Sequence, residues 1–171
     1  MSAARSAEFN VDALYEALDE RRRALGLTWA GTARAISEQF RDAPSRAISA
    51  STLTRTRGAN VLEGDGVLQM LRWLGRTPES FVPGHSGGTP LPDIPRHQIL
   101  RFDTKLIHAA LDERRTQRGM SWSEVATEIR GVTAASLTRM SQGGRTMFPL
   151  VVRIAAWLER PVASLTRASG S

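Results

Sequence analysis

The chain has 171 residues, 41% of them apolar, enough for one ordinary domain or two small ones with real cores. It contains no Cys, which excludes disulfides, thiolate metal sites and a Cys nucleophile. A formal net charge of +6 and a pI near 11.2 suit a polyanionic partner.

The opening residues MSAARSAEFN have no apolar core of the kind a signal peptide needs, and the longest apolar stretch, Met147 to Leu158, is broken by Arg153. A cytoplasmic protein without a membrane span is therefore expected. Further along, ALDERR at Ala17 to Arg22 recurs as Ala110 to Arg115, 93 positions later. The match extends without a gap from Phe9–Ile36 onto Phe102–Ile129, with 11 of 28 positions identical. A second block, Ile48–Val82 onto Val132–Thr166, keeps 9 of 35, including LTR at Leu53 to Arg55 and at Leu137 to Arg139. Its offset is 84, so the first copy carries nine extra residues between Ser37 and Ala47. Two copies of a unit this long are a duplicated domain, not a solenoid.

Residues 9–82 thus read as a first domain, with an insertion near 37–47. Residues 83–100, PGHSGGTPLPDIPRHQIL, follow as a linker rich in Pro and Gly. As a flexible chain such a linker averages roughly 23 Å and reaches about 60 Å when extended. Residues 101–167 form the second domain, whose pattern is helical throughout. A first amphipathic helix carries Ile107 and Leu111 and stops at Gly119. Ser121-Trp-Ser-Glu124 is a capping box for a short helix to Ile129, with Val125, Ala126 and Ile129 at core spacing. Arg130-Gly131-Val132 makes a tight turn in which Gly131 can take positive φ. Thr133 is the N-cap of the next helix, Ala134 to Ser141, which ends near Gly143-Gly144. Phe148 to Leu158 forms a fourth helix and Val162 to Leu165 a last turn.

Charge is unevenly spread. Residues 1–83 carry 11 Arg/Lys against 10 Asp/Glu, whereas residues 101–171 carry 11 against 6. Lys105 is the only lysine, so nearly every positive charge is a guanidinium, the group suited to bidentate contact with phosphate or guanine.

Two short helices joined by a turn of about four residues, the second beginning with small and polar residues, follow the helix-turn-helix plan. Gly119-Met-Ser-Trp, then Val125-Ala126, Gly131-Val132-Thr133, Leu137 and Gly143, and a helix ending Ala156-Trp157-Leu158 resemble the Cro-type helix-turn-helix of phage repressors and bacterial regulators. The resemblance implies an all-α fold of two tandem lambda-repressor-like domains, about five helices each. It also implies that the third helix of each enters the DNA major groove.

Helix geometry selects the same face. Leu137 and Met140 point inward, while Ala135, Thr138, Arg139 and Gln142 point outward. In the first copy the outward set is Ser51, Thr54, Arg55 and Gly58, with Leu53 inside. Arg139 and Arg55 are the candidates for guanine readout, aided by Thr133, Ala134, Ala135, Ser136, Thr138 and Gln142, and by Ser49, Ala50, Ser51, Thr52 and Thr54. Arg145 and the amides at the helix N-termini are candidates for holding phosphates. An Arg on a helix face is by default a solvated charge, and it is the matched position in both copies that points to base contact. The four Trp read as core, and the charges of ALDERR as surface pairs along the helix.

No constellation supports catalysis, so an enzyme is not expected. His85, His97 and His108 lack ligand spacing, no phosphate-cradling loop occurs, and no cofactor is implied. Glu63 and Asp65, in the loop after the first copy's third helix, would repel a phosphate backbone and make the second copy the stronger binder. The expected function is a sequence-specific double-stranded DNA-binding transcriptional regulator, a repressor in preference to an activator, associated with the nucleoid. It would act as a monomeric pseudo-dimer or as a homodimer. The rival is a protein-interaction module, antitoxin-like or anchoring, in which one or both domains bind no DNA and the first copy holds a protein partner.

Overall fold

The computed structural model describes residues 8–59, 62–85 and 87–170. Among them the chain is mostly helical, with eight α-helices and one two-stranded sheet. The first half holds α1 (Val11–Ala24), α2 (Trp29–Glu38), α3 (Ala50–Thr54) and α4 (Gly64–Leu74), then a single 3-10 turn at Pro78–Phe81. The second holds β1 (Ile99–Phe102), α5 (Thr104–Gln117), α6 (Trp122–Ile129), α7 (Ala134–Arg139), a 3-10 turn at Met140–Gln142 in place of the helix end read at Ser141, α8 (Phe148–Leu158), a 3-10 turn at Val162–Leu165 and β2 (Thr166–Ser169). No helix is long and apolar enough to cross a membrane among the described residues.

Matched residues end the helices in matched ways. The side chains of Asn10 and Asp103 cap α1 and α5, and those of Thr28 and Ser121 cap α2 and α6. Ser49 and Thr133 cap α3 and α7. Each cap accepts a hydrogen bond from an amide that the first turn leaves unpaired. Ser121 completes its capping box, because the Glu124 carboxylate accepts from the Ser121 amide at 2.7 Å. Gly131 takes φ +68° in the turn before α7, as its lack of a Cβ allows. Each half is also closed by the same backbone bond: the Asn10 amide donates to Phe81 O and the Asp103 amide to Leu165 O, both at 2.9 Å.

The repeated ALDERR does more than pair charges along a helix. Leu18 and Leu111 are fully buried, each worth about 1.5–3 kcal/mol of apolar burial. Arg22 bonds Asp19 and also donates to Leu27 O at 2.9 Å; Arg115 bonds Asp112 and donates to Met120 O at 2.9 Å. The same guanidinium groups lie over Trp29 and Trp122, 4.8 and 5.0 Å from the ring centroids. The motif therefore fastens the first helix of each half to the turn and the second helix that follow it.

Two features of the fold depart from the sequence reading, the sheet and the Trp, and one, the packing of the insertion, adds to it. The small antiparallel sheet was not expected: β1 pairs with β2 in the register Ile99–Ser169 to Phe102–Thr166, and it begins inside the stretch read as linker. Ile99 and Leu100 are buried there. The inserted segment has a packing role, since Phe40 is buried and the Asp42 amide donates to Arg96 O of the linker at 3.1 Å. Of the four Trp, only Trp157 is buried; Trp29, Trp73 and Trp122 are half-buried. All three pack at the edge of the core beneath an Arg, and Trp29 and Trp122 also stack on Tyr15 and His108, an arrangement suited to an amphipathic ring.

The two halves meet along α4 and α8, which pack on each other in one continuous core. The Gly64 amide donates to Thr146 O at 2.8 Å, and the Phe148 amide donates to Leu62 O at 2.9 Å. Gly64 matches Phe148 and Leu62 matches Thr146 at the repeat offset, so the seam is reciprocal, as in an isologous dimer. The arms before the first helices cross it. Phe9 packs edge-on against Phe148, with centroids 4.7 Å apart, and Phe102 covers Gly64, whose missing Cβ would come within 2.6 Å of the ring.

Candidate nucleic-acid interface

The short helices α3 and α7 are anchored by one buried Leu each, Leu53 and Leu137, both with no exposure. Around that anchor the opposite face stays open. Thr133, Ala135, Ser136, Arg139, Gln142 and Arg145 are exposed, and Ala134 and Thr138 are half-buried. In the first half Ser49, Ser51, Thr52, Thr54 and Arg55 are exposed, and Ala50 is half-buried. Apart from Arg145, which lies in the loop before α8, these residues lie on or at the ends of the two short helices.

Their hydrogen bonds limit what each can offer. Ser49 Oγ accepts from the Thr52 amide at 3.2 Å and Thr133 Oγ1 from the Ser136 amide at 3.1 Å, so the two cap oxygens are in use. Thr54 and Thr138 donate their hydroxyl protons to Ser51 O and Ala135 O, at 3.3 and 3.0 Å. Their methyl groups and remaining lone pairs are what a ligand could meet. Among the described residues neither Arg55 nor Arg139 is ion-paired, which leaves both guanidinium forks available. Arg145 is highly exposed and sits 3.9 Å from Glu63, across the seam.

The acids of the first half act differently from the sequence reading. Asp65 is nearly buried: its Oδ1 accepts from the Phe102 amide and its Oδ2 from Arg101 Nη1, each at 3.0 Å. Glu63 caps α4 through the Gly66 amide. Asp65 therefore holds β1 to α4, while Glu63 closes the end of α4 with one oxygen and faces Arg145 with the other.

A different charge contrast lies beside the short helices. Asp12 and Lys105 occupy the same position in the two copies and both are exposed. Asp12 Oδ1 accepts from the Gly58 amide at 3.1 Å, in the loop after α3. Lys105 runs over Gly143, in the loop after α7, where a Cβ would lie 3.4 Å from its Cε. One half thus sets a carboxylate, and the other a lysine side chain, against the corresponding loop. Sequence reasoning passed over this pair, although the ungapped alignment puts the two residues opposite each other.

Arg118, Glu128 and Trp157 brace the second half. The Glu128 carboxylate accepts two bonds from the Arg118 fork and one from Trp157 Nε1 at 2.6 Å. The Arg118 hydrogen bonds, then that of Trp157, hold the Glu128 carboxyl below the usual carboxylate range. This brace links α6, which packs against α7, to α5 and α8.

Among the described residues no three His, Asp or Glu side chains gather as metal ligands would. No family model, curated protein or solved structure matches this chain.

Proposed function

We propose that the chain is a sequence-specific double-stranded DNA-binding regulator, built from two tandem helix-turn-helix units and acting as a repressor by occupying its site. The observation that carries the reading is the matched pair α3 and α7. Each is capped by a hydroxyl residue, anchored by one Leu, and leaves on its open face an Arg with no ion pair among the described residues. Small side chains at the start of such a helix let its backbone approach base edges, and an Arg beyond them suits the O6/N7 pair of guanine. The excess of basic residues in the second half supplies the sequence-independent attraction to phosphate.

Titration of a random duplex over about 50 to 200 mM salt tests this first step. Affinity should fall steeply, with a log–log slope near −0.9 for each phosphate neutralised. Absence of binding at the lowest salt would leave the protein-interaction reading in its place. That rival has one observation of its own: Asp12 puts a carboxylate on the loop after α3, where its charge would repel a phosphate backbone.

The same contrast gives a prediction. Lys105→Ala should weaken duplex binding and flatten the salt slope by about 0.9, the worth of one phosphate contact. Asp12→Asn keeps an oxygen for the Gly58 amide while removing the charge, and should strengthen binding roughly threefold. Fluorescence anisotropy on one duplex measures both; equal slopes for all three proteins would remove Lys105 and Asp12 from the interface.

A further inference from the structure

We infer that the seam between the two halves makes a single chain into a fixed-geometry pair of reading heads, which takes two half-sites at one spacing without a second copy. The inference rests on the DNA-binding reading above and adds to it the spacing and the stoichiometry.

Three independent sets of contacts hold the halves together. The first is the reciprocal pair of backbone bonds, Gly64 to Thr146 and Phe148 to Leu62, which are equivalent at the repeat offset. The second is the exchange of arms: Phe9 reaches Phe148, and Phe102 lies over Gly64. The third ties the connecting segment down. Gln69 Nε2 donates to Leu100 O at 2.6 Å, Asp65 holds Arg101 and the Phe102 amide, and Glu79 Oε1 accepts from the Val162 amide at 2.8 Å. Each of these bonds links residues of opposite halves or of the first half and β1.

The consequence is geometric. A reciprocal seam places α3 and α7 in equivalent positions about an approximate two-fold axis, as dimerisation does for proteins that read inverted half-sites. Equivalent placement fixes both the separation and the relative rotation of the two heads. A free linker of this length would let the heads follow half-sites over a range of spacings. The docked halves cannot, because the apolar core runs without a break from one to the other. The seam residues are also used within the chain: Phe148 has no exposure, and Gly64 has no room for a Cβ beside Phe102 and Thr146 O. The chain therefore has its dimer-like contact filled internally and needs no partner copy to present two heads.

The test uses the intact chain and the duplex it prefers most in a selection from a random pool. Variants of that duplex change the distance between the half-sites by one and by about two base pairs in either direction, the latter a rotation of roughly 70°. Kd is measured by anisotropy, and stoichiometry by sedimentation of the complex. The expected result is one chain per duplex, one favoured spacing, and about a 100-fold loss of affinity at two base pairs, since simultaneous engagement of both heads is then lost. One chain per duplex with affinity flat across the spacings would overturn the fixed geometry while leaving the DNA-binding reading standing. Two chains per duplex would also overturn it, because the second head would then come from another copy. No preferred duplex in the selection would overturn the inference together with the reading on which it rests.

Discussion

Phe148→Ala should cost about 3–5 kcal/mol of folding stability, the usual range for emptying a buried aromatic site. The ring has no exposure, and it meets Phe9 at 4.7 Å and Phe102 at 5.6 Å, one from each arm. Its removal deletes both contacts, together with the apolar transfer energy of the side chain. The position opens the helix α8 and cannot collapse easily, because the Phe148 amide is held by Leu62 O. For a chain of this size the loss lowers Tm by roughly 10 °C. Thermal or urea unfolding measures it. A cost below about 1 kcal/mol would mean that the halves are not docked in solution as they are here, since a well-packed ring cannot be removed so cheaply.

Asp65→Ala should cost about 3 kcal/mol by a different route. The carboxylate is the acceptor for the Phe102 amide and the partner of Arg101, and both are left behind when it is cut. A buried amide without an acceptor and a half-buried guanidinium without its counter-charge each carry a desolvation cost that folding no longer offsets. Asp65→Asn keeps an acceptor for the Phe102 amide but loses the charge and the oxygen that accepts from Arg101, so it should cost about half as much, the share of the Arg101 pair alone. Equilibrium unfolding of the two variants separates these contributions. Equal stability of both with the parent chain would remove Asp65 from the set of contacts that hold β1 on α4.

The two variants also mark where the sequence was informative and where it was not. Helix ends were legible because their signals are local. Thr133 before Ala134, the Ser121/Glu124 box and Gly119 after Gln117 each act within three or four residues, and the structure has a cap or a turn at every one. The inward Leu137 and the outward Arg139 were legible for the same reason, since helical periodicity alone decides them. The seam was not legible, because it depends on residues far apart in the chain. Nothing near Gly64 announces that a ring from Phe102 will occupy the space of its missing Cβ. Asp65 read as an acid in a loop, because its two partners, Arg101 and the Phe102 amide, lie beyond the whole connecting segment.

The strands were hidden for a related reason. Ile99–Phe102 and Thr166–Ser169 are four residues each, too short for an alternating pattern to stand out from their surroundings. Each is specified by its partner more than by itself, as is usual for short strands. Trp29 and Trp122 show a milder version of the difficulty. Their matched positions implied burial, but the rings stack on the half-buried Tyr15 and His108 at the edge of the core, beneath Arg22 and Arg115, and stay half-exposed. The repeat itself was the most informative signal. It aligns the caps, the Leu anchors and the two Arg, and it also aligns Asp12 with Lys105, a contrast whose meaning appears only when the loops after α3 and α7 are seen beside them.

Selection from a random double-stranded pool at about 150 mM salt, with the parent chain, Arg55→Ala and Arg139→Ala in parallel, is the most direct test that α3 and α7 read DNA. The expected outcome is a pair of enriched half-sites, with each substitution relaxing one half and costing about 1–3 kcal/mol of discrimination there. An unenriched pool with the parent chain would contradict the reading, and so would enrichment that neither substitution alters.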